Sequence, residues 1–120
     1  MPDLHIHYSQ DDAGLVPMIV NYADSLCEIV AKALEKDPGE IALFPHPREE
    51  QVELISRNLN RLEIIVEAGM DQPPDTPKEI SNNILEKIRS LDGMNKISIG
   101  VGVRIFGSST NGFSEHEGDD

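Results

Sequence analysis

Pro2-Asp3-Leu4-His5-Ile6-His7-Tyr8, PDLHIHY, decides how the rest of the chain reads. Leu4, Ile6 and Tyr8 alternate with His5 and His7, and a period of two makes a strand with one apolar face. This strand starts almost at the terminus. From Val16 the period changes. Val16, Ile19, Val20, Ala23, Leu26, Cys27, Val30 and Leu34 recur at helical spacing, which predicts a long amphipathic helix with Pro17 tolerated in its first turn. Asp37-Pro38-Gly39 stops it. Ile41-Ala42-Leu43-Phe44 reads as a second strand that Pro45 and Pro47 end. The stretch from Pro47 to Asn58 has room for a short helix carrying Val52 and Ile55, with Leu59 beyond it.

The second half repeats this plan. Leu62, Ile64 and Val66 alternate with Glu63, Ile65 and Glu67, and a loop with Pro73 and Pro74 follows. Thr76-Pro77-Lys78-Glu79 is a helix start: Thr76 at the N-cap, Pro77 in the first helical position, Glu79 closing a capping box. Ile80, Ile84, Leu85, Ile88 and Leu91 form its apolar stripe, and Gly93 suits the residue just past its end. Ile97, Ile99, Val101, Val103 and Ile105 then alternate with Ser98, Gly100, Gly102 and Arg104. The interval from Leu4 to Ile41 nearly matches that from Leu62 to Ile97.

The fold class is therefore α+β, a tandem βαβ repeat with units at about 2–47 and 60–107. Each crossover should be right-handed. Joined, the units make a four-stranded sheet with two helices on one face. The opposite sheet face, with Ile65, Gly100 and Gly102, needs a cover, and another copy of the chain is the simplest one. A homo-oligomer, most simply a ring, is expected. Residues 1–113 form one domain, and 114–120 read as an acidic, flexible tail.

Composition bounds the partners. The chain has 120 residues, with 10 Lys+Arg against 22 Asp+Glu and a net charge of −12. That surface repels phosphate backbones, and no basic stripe offsets it, so neither nucleic acid nor an anionic membrane is expected as a partner. No apolar run approaches the length of a membrane span, and the start does not read as a signal peptide. Cys27 is the single cysteine and cannot form an internal disulfide, so a reducing, cytoplasmic location is expected. It lies on the apolar stripe of the first helix and reads as packing. His5 and His7 share one strand face, but a metal needs a third ligand and no spacing motif supplies it, so no metal is expected. Ser108 and Ser109 lack the histidine and acid context of a nucleophile. Gly100-Val101-Gly102 lies inside a strand, so it is no dinucleotide fingerprint. Glycines there permit close approach of another backbone.

A Met1-Pro2 start running straight into a strand, followed by two βαβ units, resembles the tautomerase superfamily. Pro2 to Tyr8 looks like the first strand of 4-oxalocrotonate tautomerase and carboxymethyl-hydroxymuconate isomerase. Lys36-Asp37-Pro38-Gly39-Glu40-Ile41-Ala42-Leu43 looks like the helix-to-strand corner of the macrophage migration inhibitory factor branch. Thr110-Asn111-Gly112-Phe113 is similar to that branch's Asn-x-Gly-Trp turn. The resemblance implies a ring-shaped homotrimer without a cofactor, acting on a small carboxylate or carbonyl compound. It implies a tautomerase or isomerase in which Pro2, freed by removal of Met1, is the general base or acid. The alternative is a non-catalytic oligomeric binding protein that keeps the fold.

The chemistry implied is straightforward. An α-amino group has a pKa of about 7.7–8.0, and an apolar pocket lowers it by disfavouring the cation. The neutral amine can then move a proton at a carbon next to a carbonyl. A cation must hold the substrate carboxylate or the developing enolate. The resemblance implies Lys36, at the helix end, and Arg48, where short-chain tautomerases place a carboxylate-binding arginine. Arg104 interrupts a glycine-rich strand face and reads equally as a pocket cation or an inter-subunit ion pair. There are departures. The loop Gly69-Met70-Asp71-Gln72-Pro73-Pro74-Asp75 is acidic, where several branches carry a base. Ser98 and Gly100 stand where the migration inhibitory factor branch has a tyrosine and an asparagine.

Overall fold

The structure is a computed structural model, and it describes residues 2–10, 12–48, 61–70, 72–106 and 111–119. The elements run β1 (Asp3–Ser9), α1 (Leu15–Leu34), a 3-10 turn at Pro38–Glu40, β2 (Ala42–Arg48), β3 (Leu62–Gly69), α2 (Pro77–Arg89), a second 3-10 turn at Met94–Lys96, β4 (Ile99–Phe106) and β5 (Gly112–His116). They form one five-stranded sheet of order β2-β1-β3-β4-β5. β1 and β2 are parallel, joined through α1, and β3 and β4 are parallel, joined through α2. β1 and β3 run antiparallel at the centre and join the two units.

The period-two residues fill the helix-facing side of the sheet. Leu4 and Ile6 of β1, Leu62, Ile64 and Val66 of β3, and Ile99, Val101 and Val103 of β4 are buried in one cluster. Ile19, Leu26, Val30 and Leu34 of α1 and Ile80, Ile84, Leu85 and Ile88 of α2 close that cluster. Each such side chain contributes about 1.5–3 kcal/mol by leaving water. Local chemistry sets the helix ends. Asp12 Oδ1 accepts the Leu15 and Gly14 N–H groups ahead of α1. Glu35 ends α1 at φ 55°, in the left-handed region. Thr76 Oγ1 accepts the Glu79 N–H at 3.3 Å, the N-cap half of the expected capping box.

Four expectations differ from the structure. The sheet has five strands, not four, because Gly112–His116 pairs antiparallel with β4. Residues 114–116 therefore belong to a strand and not to a loose tail. Ser114 and His116 turn toward the helices and are buried, and Ser114 shares a 2.8 Å hydrogen bond with Ser81 of α2. Even Asp119 is tied down, its N–H donating to the Asn95 carbonyl. Second, β2 runs through Pro45 and Pro47 instead of ending at them. Ala42 donates its N–H to Pro2, and the Arg48 carbonyl accepts from Gln10, so residues 42, 44, 46 and 48 turn their backbone toward β1. Positions 45 and 47 point outward at a sheet edge, where a proline loses no ladder bond. Third, α2 stops at Arg89, and Gly93, at φ 83°, opens the second 3-10 turn. Fourth, β4 begins at Ile99, two residues after Ile97. Most of the short helix expected between Pro47 and Asn58 lies outside the described residues.

Candidate functional site

Pro2 is buried at the entry to β1. Its carbonyl accepts the Ala42 N–H at 3.0 Å, so the start of β2 holds the residue in place. Alternation along β1 puts the Pro2 ring on the side of Leu4 and Ile6.

The register decides which cations share this end of the sheet. Lys36 follows the α1 cap, its N–H bonded to the Ala31 carbonyl at 2.8 Å, in the corner that leads into β2 beside Pro2. Its side chain is exposed. Asp3, Glu67 and Arg104 occupy one rung across β1, β3 and β4. Two strand spacings, about 10 Å, separate Arg104 from Asp3. Arg104 lies on the open face and holds its guanidinium over Phe106, 5.5 Å from the ring centroid. Arg48 pairs with Ser9 at the opposite end of the sheet. Seven residues at about 3.3 Å each put it about 23 Å from Pro2. Within one chain, then, Lys36 and Arg104 share the Pro2 end and Arg48 does not.

Near the Arg48 end the open face carries a cluster that the sequence only half displays. His46 of β2 pairs directly with His7 of β1. His7 and His46 stack at 4.5 Å between centroids, His5 and His46 at 5.0 Å, and His5 and Phe44 at 5.1 Å. His5 Nδ1 and His46 Nε2 are 2.8 Å apart, so one donates to the other. His5 Nε2 faces Glu67 Oε1 at 3.9 Å. Burial first, then Arg48 and the other two imidazoles, lowers the His7 pKa to about 4. His5 and His7 showed in the sequence as alternating residues. His46 did not, because its partner lies across a crossover.

Within the chain, Gly102 on the open face of β4 lies against side chains. A Cβ on Gly102 would come within 3.1 Å of Ile65 Cδ1 and 3.5 Å of Phe113 Cδ2. Cys27 is half-buried, and desolvation, then Asp24, raises its pKa. Ser108 and Ser109 lie outside the described residues. A groove of about 390 Å³ runs elsewhere, between the outer faces of α1 and α2, lined by Ile29, Lys32 and Lys87 among others. No candidate site residue lines it. No helix among the described residues is long and apolar enough to cross a membrane.

No family model and no curated protein matches the sequence. Among solved structures, a wild-type fused 4-OT (4-oxalocrotonate tautomerase) asymmetric trimer superposes with a TM-score of 0.59 at 16% identity, over 86% of this chain and 83% of that one. This likeness shows the fold: two βαβ units paired in one sheet, as in that 4-OT chain.

Proposed function

We propose that this protein is a tautomerase or isomerase acting on a small keto, enol or unsaturated carboxylic acid, with Pro2 as the proton-transferring group. The observation that carries this is the placement of Pro2: buried, pinned by Ala42, and heading β1 of a tautomerase fold. A proline with Met1 removed has a ring-held secondary amine, and burial favours its neutral, basic form. Asp3 and Glu67 carboxylates on the next rung favour the cation and thus the acid role. Lys36 and Arg104 are the cations proposed to hold the substrate carboxylate. Arg48 reaches a Pro2 site only from another subunit.

A homotrimer is part of this reading. Among the described residues the large exposed apolar side chains are Val20, Phe44, Phe106 and Phe113, and the last three lie on the open sheet face. Packing against neighbouring copies covers them and gives Pro2 a closed pocket. The second reading, a non-catalytic oligomeric binder, draws on Ser98, Gly100 and the acidic loop before α2. No cofactor enters either reading.

Intact-mass measurement of the native protein comes first; retained Met1 removes the catalytic reading, because Pro2 is then an amide. With Met1 gone, ketonisation of phenylenolpyruvate or 2-hydroxymuconate is the assay. Pro2→Ala should lower kcat/KM by about 10²–10⁴-fold. Arg104→Ala should raise KM more than Lys87→Ala, a control in the last turn of α2. Equal activity of wild type and Pro2→Ala establishes the binding reading instead.

A further inference from the structure

The open face of the β1–β2 pair carries a ladder of rings that the proposed chemistry of Pro2 does not use. Phe44, His5, His46 and His7 stack in that order, with centroids 5.1, 5.0 and 4.5 Å apart. The His7 and His46 rings lie within 11° of parallel. His5 Nδ1 and His46 Nε2 are joined by a hydrogen bond of 2.8 Å. That bond needs a bare nitrogen on one of the two rings, so full protonation of both removes its acceptor. A charged ring can lie against a neutral one, but two charged rings face to face repel. Among the described residues, Asp3 of β1 and Glu63 and Glu67 of β3 share this face and favour charged imidazoles, with Glu67 Oε1 3.9 Å from His5 Nε2. Arg48 on β2 and Arg104, one strand beyond Glu67, oppose them. At His7 the opposition prevails: burial, then Arg48, His46 and His5, lowers its pKa to about 4. Such a ring takes up a proton far more readily once it leaves the ladder. β2 is the strand whose departure frees it, because β2 is the sheet edge and pairs with β1 alone.

We propose that the His5–His7–His46 ladder is a pH-sensitive latch: neutral, it fastens edge strand β2 to β1, and protonated on acidification it repels itself and Arg48 and releases β2. His7 binds fewer protons latched than released. The latch is therefore whole above pH 6.5, the ordinary imidazole value, and weakens as pH falls from there toward 4. The released strand begins with Ala42, whose N–H holds the Pro2 carbonyl at 3.0 Å.

The test is native-state amide exchange of the full chain, followed by NMR at pH 7.5 and pH 5.0 and corrected for intrinsic exchange. Phe44 and His46 turn their N–H groups toward β1. Their protection should fall about 30-fold on acidification, the ratio set by a released imidazole at 6.5 and a latched one at about 4. Ile64, Ile65 and Val66, on the central strand β3, should keep most of their protection. His7→Gln should abolish most of the loss at Phe44 and His46, with circular dichroism checking that the variant folds. Imidazole titration of the unmutated chain needs no variant and should place His7 well below the ordinary histidine value. A His7 that titrates at that value overturns the proposal. So does a β2 that keeps its protection at pH 5.0, or a loss there that His7→Gln leaves unchanged. An equal loss across β3 also overturns it, because the whole sheet is then opening and not the edge strand.

Discussion

At the residue scale, single atoms decide how the second unit closes. A Cβ on Gly112 would collide with the Pro77 carbonyl and the Lys78 nitrogen, because β5 presses directly on the start of α2. Gly112→Ala should cost about 1–3 kcal/mol, read as a lower urea midpoint. Beside it, Ser114 bonds Ser81 and donates to Asn82 Oδ1, and Lys78 Nζ donates to the Phe113 carbonyl. Ser114→Ala leaves the fully buried Ser81 hydroxyl one partner short and should cost about 1–3 kcal/mol. Asp12 works at the other helix. Burial raises its pKa, but the Arg61 hydrogen bond and charge and the Leu15 and Gly14 N–H groups outweigh that, and the net shift is downward. A carboxyl lowered in the folded state binds fewer protons there than in the unfolded chain. Its stabilisation is complete above the usual carboxylate pKa and fades as pH falls through the lowered value. Asp12→Asn should therefore flatten the acid limb of the stability–pH curve, checked by thermal melts from pH 6 downward. The pair is partly exposed, so the change should be modest and smaller in high salt.

At the scale of elements, β2 shows how an edge strand is kept from pairing. Leu43, Pro45 and Pro47 turn their backbones away from β1, and the two prolines remove two of those three outward donors. Pro45→Thr combined with Pro47→Thr should leave β2 in place and restore the donors. Sedimentation and turbidity at raised concentration should then show more self-association than in the parent. The helix starts belong here too. The Thr76 N-cap was legible in four consecutive residues, because capping is local, and Thr76→Ala should cost about 1 kcal/mol by urea titration. The course of β2 was not legible. A proline reads as a strand end unless one knows which way its nitrogen points and whether a neighbour stands there, and only the strand order supplies that. For the same reason Ser114 to His116 looked like the start of a polar tail. Gly112, Ser114 and His116 are small or polar residues, and their burial depends on α2 and Asn95 lying across them.

At the scale of the molecule, the sheet has a buried helix side and an open side. Pro2, on the helix side, lies at the same end as Lys36 and Arg104; on the open side His7, His46 and Arg48 lie toward the other end, with His5 between. The proposed assembly covers the open face with neighbouring copies. Analytical ultracentrifugation should give a trimer mass, and Phe106→Glu should shift it toward monomer by placing a carboxylate in that contact. A monomer at every concentration counts against the ring.

The sequence by itself determined the two helices and the first four strands, the apolar helix stripes, the inward strand faces and the repeat of the βαβ plan. Periods of two and 3.6 act over a few residues and need no knowledge of distant chain. It also singled out Pro2, through its place at the head of the first strand. Only the tertiary structure decided that β5 completes the sheet, that Arg48 lies far from Pro2 in one chain, and that His46 joins His5 and His7. Each of those depends on strand order and register between segments tens of residues apart. Register is settled by backbone hydrogen bonding and by the requirement that every inward face be buried at once.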